Sequence, residues 1–270
     1  MKIKKSLFNS RLLDAREIYK RFLCTENFNF QKFSRAQDEQ HLDKKSLARD
    51  KEFYIYLFRH GQTAYNRDGY FTGWKDSKLT PLGIKQAKKI SRELKNKKFE
   101  IAFQTRLSRS KDSLKEVIKC HPECKRIITD NRMMERKYGS LEGTSHEEFI
   151  KNIGKNLLKL DVHGDALENL DKNKRKQIEK FLGEQEYKLI HRGYNIPPPK
   201  GESFAMVEKR VNSFINDLKK LIRKEKVNVV ISAHGNSIRM FRKIMENASI
   251  KETTSWFIPY DQVFTYKIKV

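Results

Sequence analysis

Two apolar, β-rich runs of this chain end at the same dipeptide, His-Gly. Phe53–Phe58 leads into Arg59-His60-Gly61, and Val227–Ala233 leads into His234-Gly235. Continuous apolar runs of this length are typical of strands that are buried on both faces, as in a parallel sheet. Ligands of open α/β sheets collect at the carboxyl ends of the strands. The two histidines are therefore predicted to lie side by side at one ligand-binding edge.

Helical signals alternate with strand signals along the rest of the chain. Thr80-Pro81 reads as an N-cap followed by proline in the first helical turn. Ile101–Gln104 is a second short strand signal, and the helical period is clearest from Phe204 to Ile222. This alternation predicts an α/β fold of three layers, α/β/α, with a mostly parallel central sheet. The expected inward-facing positions of the first helix are Ile84, Ala87, Ser91 and Leu94.

The first 50 residues differ in pattern from the rest of the chain. A short amphipathic stripe over Leu12–Phe22 precedes polar, weakly patterned sequence. We predict that residues 1–50 form an N-terminal extension, partly helical or disordered, and that residues 51–270 form the α/β domain. Within that domain, about 147–190 is predicted to be a polar, helical insertion near the ligand-binding edge.

Composition narrows the classes of function. Lys and Arg number 58 against 34 Asp and Glu, a formal net charge of +24, and the excess is spread along the chain. Such a charge fits nucleic acid, an acidic membrane surface or anionic small substrates, but its even spread favours a generally cationic surface. No RNA-binding aromatic motif or zinc-finger spacing occurs, which disfavours nucleic acid. The longest apolar run, Phe53–Phe58, is far shorter than the ~20 residues of a membrane span, and the N-terminus lacks the apolar core of a signal peptide. We therefore expect a cytoplasmic chain without membrane contact.

The sequence predicts no disulfide or metal-binding role for the cysteines and no functional role for the isolated histidines. Three cysteines are too few, and odd in number, for a disulfide framework. The stretch Cys120–Cys124 has no second ligand pair at zinc spacing, so we predict a solvated helix end there and not a metal site. Histidines without any motif around them are expected to lie in solvent; they are His41, His121 and His163.

The residues at the two strand ends suit phosphoryl chemistry. Neutral imidazole can attack phosphorus to give a phosphohistidine, and guanidinium groups orient and neutralise phosphoryl oxygens. Arg59 and Arg109 each stand at a strand-to-helix turn of the predicted fold. We predict that they clamp a phosphoryl group beside His60 and His234.

Several short motifs surround these residues. They are Arg59–Asn66 (RHGQTAYN), Phe71–Asp76 (FTGWKD), Glu135–Gly139 (ERKYG), Gly193–Pro199 (GYNIPPP) and Ala233–Ser237 (AHGNS). Together they resemble the histidine phosphatase superfamily and, within it, the 2,3-bisphosphoglycerate-dependent phosphoglycerate mutases. The similarity extends from about residue 54 to residue 267, and it implies a phosphoglycerate mutase-like catalytic domain.

The resemblance implies a role for each matching residue. His60 would be the phosphorylated nucleophile, and His234, Arg59 and Arg109 would stabilise the transferring phosphoryl group. Glu135 would donate and accept the proton, which chemistry also requires, because a hydroxyl that attacks phosphohistidine must lose its proton. The implied primer is 2,3-bisphosphoglycerate, and no metal is implied. The implied substrate contacts are Asn66, Thr72, Gly73, Tyr138, His146, His191, Arg192, Gly235 and Asn236.

The implied activity is the interconversion of 3-phosphoglycerate and 2-phosphoglycerate in glycolysis and gluconeogenesis. The partners would be small phosphorylated three-carbon acids, and the expected assembly is a homodimer or a homotetramer. Two alternatives stay open. The first is a histidine phosphatase that hydrolyses small phosphate esters, and the second is a non-catalytic basic protein that binds nucleic acid or a partner.

The chain departs from the mutase pattern at positions that bear on substrate binding. His146 stands where the mutases place a lysine, and His191 stands where they place the first of two adjacent arginines. Because imidazole is cationic only part of the time near neutral pH, we expect substrate affinity to rise on acidification. Near the C-terminus, Pro259-Tyr260-Asp261 replaces the usual Pro-Thr-Gly.

Overall fold

A five-stranded sheet lies at the centre of the computed structural model, which describes residues 51–161 and 171–270. Four of its strands are parallel, and only the edge strand β5 is antiparallel, to its neighbour β1. The prediction of a mostly parallel sheet is confirmed. In sheet order, the strands are β3 (Arg126–Thr129), β2 (Ile101–Gln104), β4 (Val229–Ala233), β1 (Glu52–Arg59) and β5 (Val263–Lys269).

Helices follow the strands in the order that an α/β fold requires. Short 3-10 turns at Asn131–Met133 and Gly139–Leu141 lie between β3 and the insertion. The helices are α1 (Ala64–Arg67), α2 (Pro81–Leu94), α3 (Ser108–Ile118), α4 (His146–Asp161), α5 (Lys172–Arg192), α6 (Phe204–Glu225), α7 (Gly235–Glu246) and α8 (Ile250–Ser255).

The alternation of side chains along β1 divides the core into two layers. Ile55 and Leu57 join a cluster with the apolar faces of α6 and α7. Tyr56 and Phe58 point to the other face and pack with residues of α2 and α3. Because the sheet is covered on both faces, its central strands are largely apolar, as the sequence indicates. The three-layer α/β/α architecture is confirmed.

The helix α2 begins as predicted, but one inward position is different. The Thr80 hydroxyl accepts a hydrogen bond from the Gly83 N–H at 3.0 Å, and proline occupies the first helical position. Ile84, predicted to face inward, is 40% exposed. In this first turn the residue that faces the domain is Gly83, because the Gln62 backbone approaches it too closely for a side chain. The buried stripe is Gly83, Ala87, Ile90, Ser91 and Leu94.

The insertion is helical where it is described, and it adjoins the loop that follows α1. The His146 N–H donates to the Gly69 carbonyl oxygen at 2.8 Å, and the Phe71 N–H donates to the Thr144 carbonyl oxygen at 3.0 Å. Phe71 then packs with aromatic and aliphatic side chains of α4 and α5. The start of α4 and the end of α5 therefore lie beside this loop. The buried members of this cluster are Phe71, Tyr138, Phe149 and Ile190.

Some predictions concern residues outside the described ranges. The extension over residues 1–50, residues 162–170 of the insertion, His41 and His163 belong to this group. The division of the chain at residue 50 therefore stays a prediction. In the two ranges that the structure does describe, no helix combines the length and the apolar character needed to cross a bilayer.

Candidate active site

The structure brings His60 and His234 together at the carboxyl ends of β1 and β4. Arg59, the last residue of β1, pairs in register with Ala233, the last residue of β4. The residue that follows each strand is a histidine. The His60 N–H donates to the Ala233 carbonyl oxygen at 3.0 Å. The two rings lie 5.0 Å apart between centroids, and both side chains are buried. The register of two parallel strands thus sets the distance between the two imidazoles.

The local contacts of His60 hold its ring in a nucleophilic form. Its Nδ1 lies 2.7 Å from the Gly61 carbonyl oxygen, which can only accept, so Nδ1 carries the proton. In the neutral ring Nε2 therefore keeps its lone pair. Burial, reinforced by the charges of Arg109 and Arg59, holds the pKa of His60 well below its ordinary value. At neutral pH the ring is uncharged, which is the form that attacks phosphorus.

Close approach of two backbone segments accounts for the glycine after His60. A Cβ on Gly61 would lie 2.1 Å from the Gly83 carbonyl oxygen, and one on Gly83 would lie 2.1 Å from the Gln62 carbonyl oxygen. The first turn of α2 is therefore packed directly against the loop that carries His60. This contact fixes the position of the loop and allows no side chain at residue 61.

The second histidine has a buried, unsatisfied nitrogen next to His60. His234 Nε2 lies 2.8 Å from the Thr105 hydroxyl oxygen, and Nδ1 is buried without a partner among the described residues. If the Thr105 hydroxyl donates to Nε2, Nδ1 carries the ring proton and is left as a donor. Burial, followed by the charges of Arg109 and His60, lowers the pKa of His234 well below its ordinary value. A neutral donor with no protein partner suits a phosphoryl oxygen.

Two guanidinium groups supply positive charge next to the histidines. Arg109 is buried and donates to the carbonyl oxygens of Gly73 at 2.7 Å and Lys75 at 2.8 Å. Arg59 donates to the Ile258 carbonyl oxygen at 2.7 Å and to the Tyr260 hydroxyl at 3.1 Å, and it stacks on the Tyr260 ring at 3.8 Å. These acceptors are uncharged, and the Nε atoms of both arginines are buried without a partner in the described residues. Burial lowers the pKa of Arg109 to about 10, and the charges of Glu135, Asp76 and Glu142 partly offset this without a hydrogen bond to it. Both guanidinium groups therefore keep the capacity to bind an anion.

Glu135 is the carboxylate of the site. It follows the 3-10 turn after β3, and its Oε1 accepts hydrogen bonds from the backbone N–H groups of Arg136 at 2.7 Å and Asn236 at 3.1 Å. Asn236 lies in the first turn of α7, directly after His234 and Gly235. The carboxylate is therefore held against the start of the helix that follows His234. It has only 9% exposure and lines the same cavity as His60.

A partly buried ion pair holds the loop that carries Glu135. Arg210 on α6 forms a two-pronged pair with Glu202, at 2.9 and 3.0 Å. The same guanidinium donates to the carbonyl oxygens of Met134 at 2.9 Å and Glu135 at 3.0 Å. The Trp74 indole N–H also donates to the Glu135 carbonyl oxygen, at 2.8 Å. The backbone of Glu135 is thus bound from two sides, which restricts the carboxylate to one position.

The two histidines that flank the insertion lie in the site, and burial disfavours their charged forms. His146 Nδ1 lies 3.3 Å from the Tyr187 hydroxyl, and His191 Nδ1 lies 3.4 Å from the Tyr138 hydroxyl. Burial lowers the pKa of His146. Burial and then Arg192 lower the pKa of His191 to about 3. At a pKa of about 3 the His191 ring stays neutral near pH 7, and the lowered pKa of His146 disfavours its charged form as well. These shifts oppose the expected rise of substrate affinity on acidification, which stays a prediction.

One cavity of about 230 Å³ collects nearly all the predicted site residues. His234 is the exception: it neighbours His60 but is fully buried and is not part of the lining. The cavity is also lined by residues that the sequence motifs did not single out, among them Tyr70, Arg239 and Phe257. The predicted residues that line the cavity are Arg59, His60, Asn66, Thr72, Gly73, Arg109, Glu135, Tyr138, His146, His191, Arg192, Gly235 and Asn236.

Away from this cavity, the stretch Cys120–Cys124 differs from expectation. His121, predicted to lie in solvent, is buried, stacks on Phe99 at 4.1 Å between ring centroids and contacts Glu123 at 2.8 Å. The aromatic contact explains the burial, because it removes an imidazole face from water. Residues 51–161 and 171–270 contain no group of three or more His, Cys, Asp or Glu side chains that could hold a metal ion.

Comparison with known proteins agrees with this geometry. The sequence profile of the histidine phosphatase superfamily (branch 1) matches residues 55–169 and 163–269. The chain is 31% identical over 184 residues to a 2,3-bisphosphoglycerate-dependent phosphoglycerate mutase of Pseudoalteromonas atlantica, covering 68% of this chain and 79% of that protein. It is 32% identical over 217 residues to the protein of the same name from Chlamydia muridarum, covering 79% and 92%.

Solved structures extend the comparison to the fold. The alpha-ribazole phosphatase from Shigella flexneri aligns with a TM-score of 0.59 at 18% identity, over 79% of this chain and 89% of that chain. At this identity the alignment shows a shared fold. Together with the sequence matches over residues 55–269, it shows that the chain is an enzyme of the histidine phosphatase superfamily, branch 1.

Proposed function

We propose that this enzyme is a 2,3-bisphosphoglycerate-dependent phosphoglycerate mutase that interconverts 3-phosphoglycerate and 2-phosphoglycerate through phospho-His60. The observation that carries the proposal is the meeting, in one cavity, of a neutral His60 with Glu135 and the guanidinium groups of Arg59 and Arg109. The mutases at 31% and 32% identity support it. This activity would belong to glycolysis and gluconeogenesis.

In the first half of the reaction, His60 Nε2 attacks the phosphorus of a bound ester. An N–P bond forms while the P–O bond to the leaving oxygen breaks, and the carboxyl group of Glu135 protonates that oxygen. Arg59 and Arg109 offset the charge on the phosphoryl oxygens during transfer. Bound 2,3-bisphosphoglycerate supplies the phosphoryl group that primes His60. The buried Nε atoms of both arginines and His234 Nδ1, which lack partners in the described chain, fit such an anion.

In the second half, the proton moves in the opposite direction. The carboxylate of Glu135 accepts the proton of the attacking substrate hydroxyl, a P–O bond forms, and the N–P bond to His60 breaks. When one hydroxyl receives the phosphoryl group and His60 then takes back the group on the other hydroxyl, 3-phosphoglycerate becomes 2-phosphoglycerate. Atoms and charge balance without a metal ion in this scheme.

A histidine phosphatase is the second candidate, and the insertion favours it. Neutral His146 and His191 leave the substrate end of the cavity with less positive charge than the lysine and arginine of the mutase pattern would give. The bound phosphoglycerate would then dissociate more readily, and water could reach phospho-His60 in its place. The enzyme would then release inorganic phosphate.

Phosphorus NMR of the full chain with 3-phosphoglycerate and a trace of 2,3-bisphosphoglycerate separates the candidates. Formation of 2-phosphoglycerate that depends on the primer, at the same rate with and without EDTA, is the expected result. Accumulation of inorganic phosphate would assign the phosphatase instead. An unchanged spectrum would contradict both and favour a non-catalytic, basic binding protein.

The neutral state of His191 predicts the pH dependence of substrate binding. A pKa of about 3 means that this ring gains its proton only far below pH 6. From pH 6 to 8 we therefore expect KM for 3-phosphoglycerate to change no more than the ionisation of the ligand's own phosphate requires. Steady-state kinetics of the wild type and of His191→Gln should give pH profiles of KM with the same shape. A fall of KM on acidification that disappears in His191→Gln would show that the ring does become charged.

A further inference from the structure

Arg239 is a buried cation of the cavity for which the motifs assign no role. It lies one turn after Gly235 on α7, it is only 6% exposed, and it lines the cavity. Tyr138 and Arg192, two of the predicted substrate contacts, line the cavity as well. Arg239 therefore belongs to the wall of the site and not to the outer surface of the helix.

The guanidinium of Arg239 has only uncharged acceptors in the described structure. It donates to the Asn236 side-chain oxygen and to the Trp256 carbonyl oxygen, the latter at 2.7 Å, and its Nε is buried without a partner. Arg242, on the same helix, shows the usual alternative, because it pairs with Glu246 at 2.9 and 3.0 Å. Against the effect of burial, the charge of Glu135 raises the pKa of Arg239 from a distance, but Glu135 forms no hydrogen bond with it. A buried guanidinium without a hydrogen-bonded carboxylate is stabilised when an anion binds next to it.

A second buried arginine adds to the positive charge at this end. Arg136 is fully buried, donates to the Ile190 carbonyl oxygen, and has two further nitrogens without partners among the described residues. Arg136 and Arg239 both lie over the Phe204 ring, at 4.6 and 5.6 Å from its centroid. Two like charges on one ring repel each other, and a negatively charged ligand would relieve that repulsion.

The neighbouring groups of the cavity wall cannot supply the same charge. His146 and His191 are neutral at physiological pH, and Arg192 is exposed to water, where its interaction with an anion is screened. Burial and then the charge of Arg192 lower the pKa of Arg239 to about 10, so its guanidinium is still a cation at neutral pH. Of these four side chains, Arg239 alone combines burial with a positive charge.

We infer that Arg239 selects substrates that carry a second anionic group, a carboxylate or a second phosphoryl group, beside the phosphoryl group that His60 receives. This inference rests on the proposed phosphoryl transfer to His60, because His60, Arg59 and Arg109 must hold the reacting phosphoryl group for Arg239 to contact the second anion. The mutases place a lysine and an arginine at the positions of His146 and His191. In this chain, Arg239 on α7 then supplies that positive charge. The favoured ligand class is a small phosphate monoester of a hydroxy acid.

The test compares two ligands that differ in one group. They are 3-phosphoglycerate and the glycerol phosphate of the same configuration, in which CH2OH replaces the carboxylate. Calorimetric titration of the full chain gives the ratio of their dissociation constants for the wild type, Arg239→Gln, Arg239→Lys and the control Arg242→Gln. We expect the wild type to prefer the acid, Arg239→Gln to lose about tenfold of that preference, and Arg239→Lys to retain part of it. Arg242→Gln should keep the wild-type ratio.

The outcomes are separable from those of the activity test. An unchanged ratio in Arg239→Gln, or an equal loss of affinity for both ligands, would overturn the inference, because the residue would then act only by supporting Asn236 and the helix. Equal affinity of the wild type for both ligands, or binding of neither, would overturn it too. If the ratio shifts as expected while NMR detects no phosphoryl transfer, the proposed function fails and the recognition of a second anion stands.

Discussion

Replacing His60 by alanine should abolish the mutase reaction, with a loss in kcat of at least ~10⁴-fold. In the proposed mechanism both half-reactions pass through a bond between phosphorus and His60 Nε2, so no other group of the site can replace the imidazole. His234 is the nearest candidate, but its Nε2 is already bound to the Thr105 hydroxyl. Two measurements check the expectation: the rate of 2-phosphoglycerate formation, and the mass increase of the intact protein after incubation with 2,3-bisphosphoglycerate.

A buried histidine outside the cavity provides the matched control. His121→Gln removes an imidazole that is as buried as His60 but stacks on Phe99, away from the site. This variant should keep its activity and its mass increase, and thermal unfolding of both variants shows whether each is folded. If folded His60→Ala still gained the mass of a phosphoryl group and turned over, His60 would not be the nucleophile.

The central part of the site could be predicted because it depends on strand ends. The apolar runs before His60 and His234 identify two buried strands, and parallel strands present their carboxyl ends at one edge. In the structure the Arg59–Ala233 register then places the histidines next to each other. The edge strands β3 and β5 gave no such signal, because β3 is only four residues long with a polar residue at each end, and β5 is interrupted by Thr265 and Lys267.

The charge state of the cavity could not be predicted from the sequence. The protonation of His146 and His191 depends on burial beside Tyr187 and Tyr138, and these contacts join residues 41 and 53 positions apart. A motif shows that a histidine replaces a cation, but it does not show the solvent exposure that decides whether the ring is charged. The expected rise of affinity on acidification therefore depends on a charged form of these rings that their burial disfavours.

Two further cavity residues illustrate which signals were present in the sequence. Arg239 stands four residues after Gly235, and helical spacing would have placed it on the same face. Its lack of a carboxylate partner, however, depends on contacts with Asn236 and Trp256 that only the structure shows. Tyr260 stood out as a departure from the family pattern, but its stacking on Arg59 at 3.8 Å could not be predicted from that substitution.

The substitution Glu135→Gln should lower kcat of the mutase reaction by ~10²–10⁴-fold and leave KM within about threefold. The glutamine side-chain oxygen can still accept the N–H groups of Arg136 and Asn236 that now bind Oε1, so the geometry of the site is preserved. What is lost is the proton, since an amide neither protonates the leaving oxygen nor accepts the proton of the attacking hydroxyl. Steady-state kinetics with 3-phosphoglycerate measures both constants, and Glu208→Gln, which breaks a pair with Lys243 outside this cavity, is the control.

Phosphoryl donors with different leaving groups show whether Glu135 transfers a proton or only contributes negative charge to the site. Transfer from p-nitrophenyl phosphate to His60 releases a phenolate that needs no protonation, whereas transfer from 2,3-bisphosphoglycerate releases an alkoxide that does. Glu135→Gln should therefore slow phosphorylation of His60 by 2,3-bisphosphoglycerate far more than phosphorylation by p-nitrophenyl phosphate. Equal slowing with both donors would mean that the carboxylate positions Asn236 or balances the charge of the arginines. No slowing with either donor would remove Glu135 from the chemistry and leave the proton to water at the mouth of the cavity.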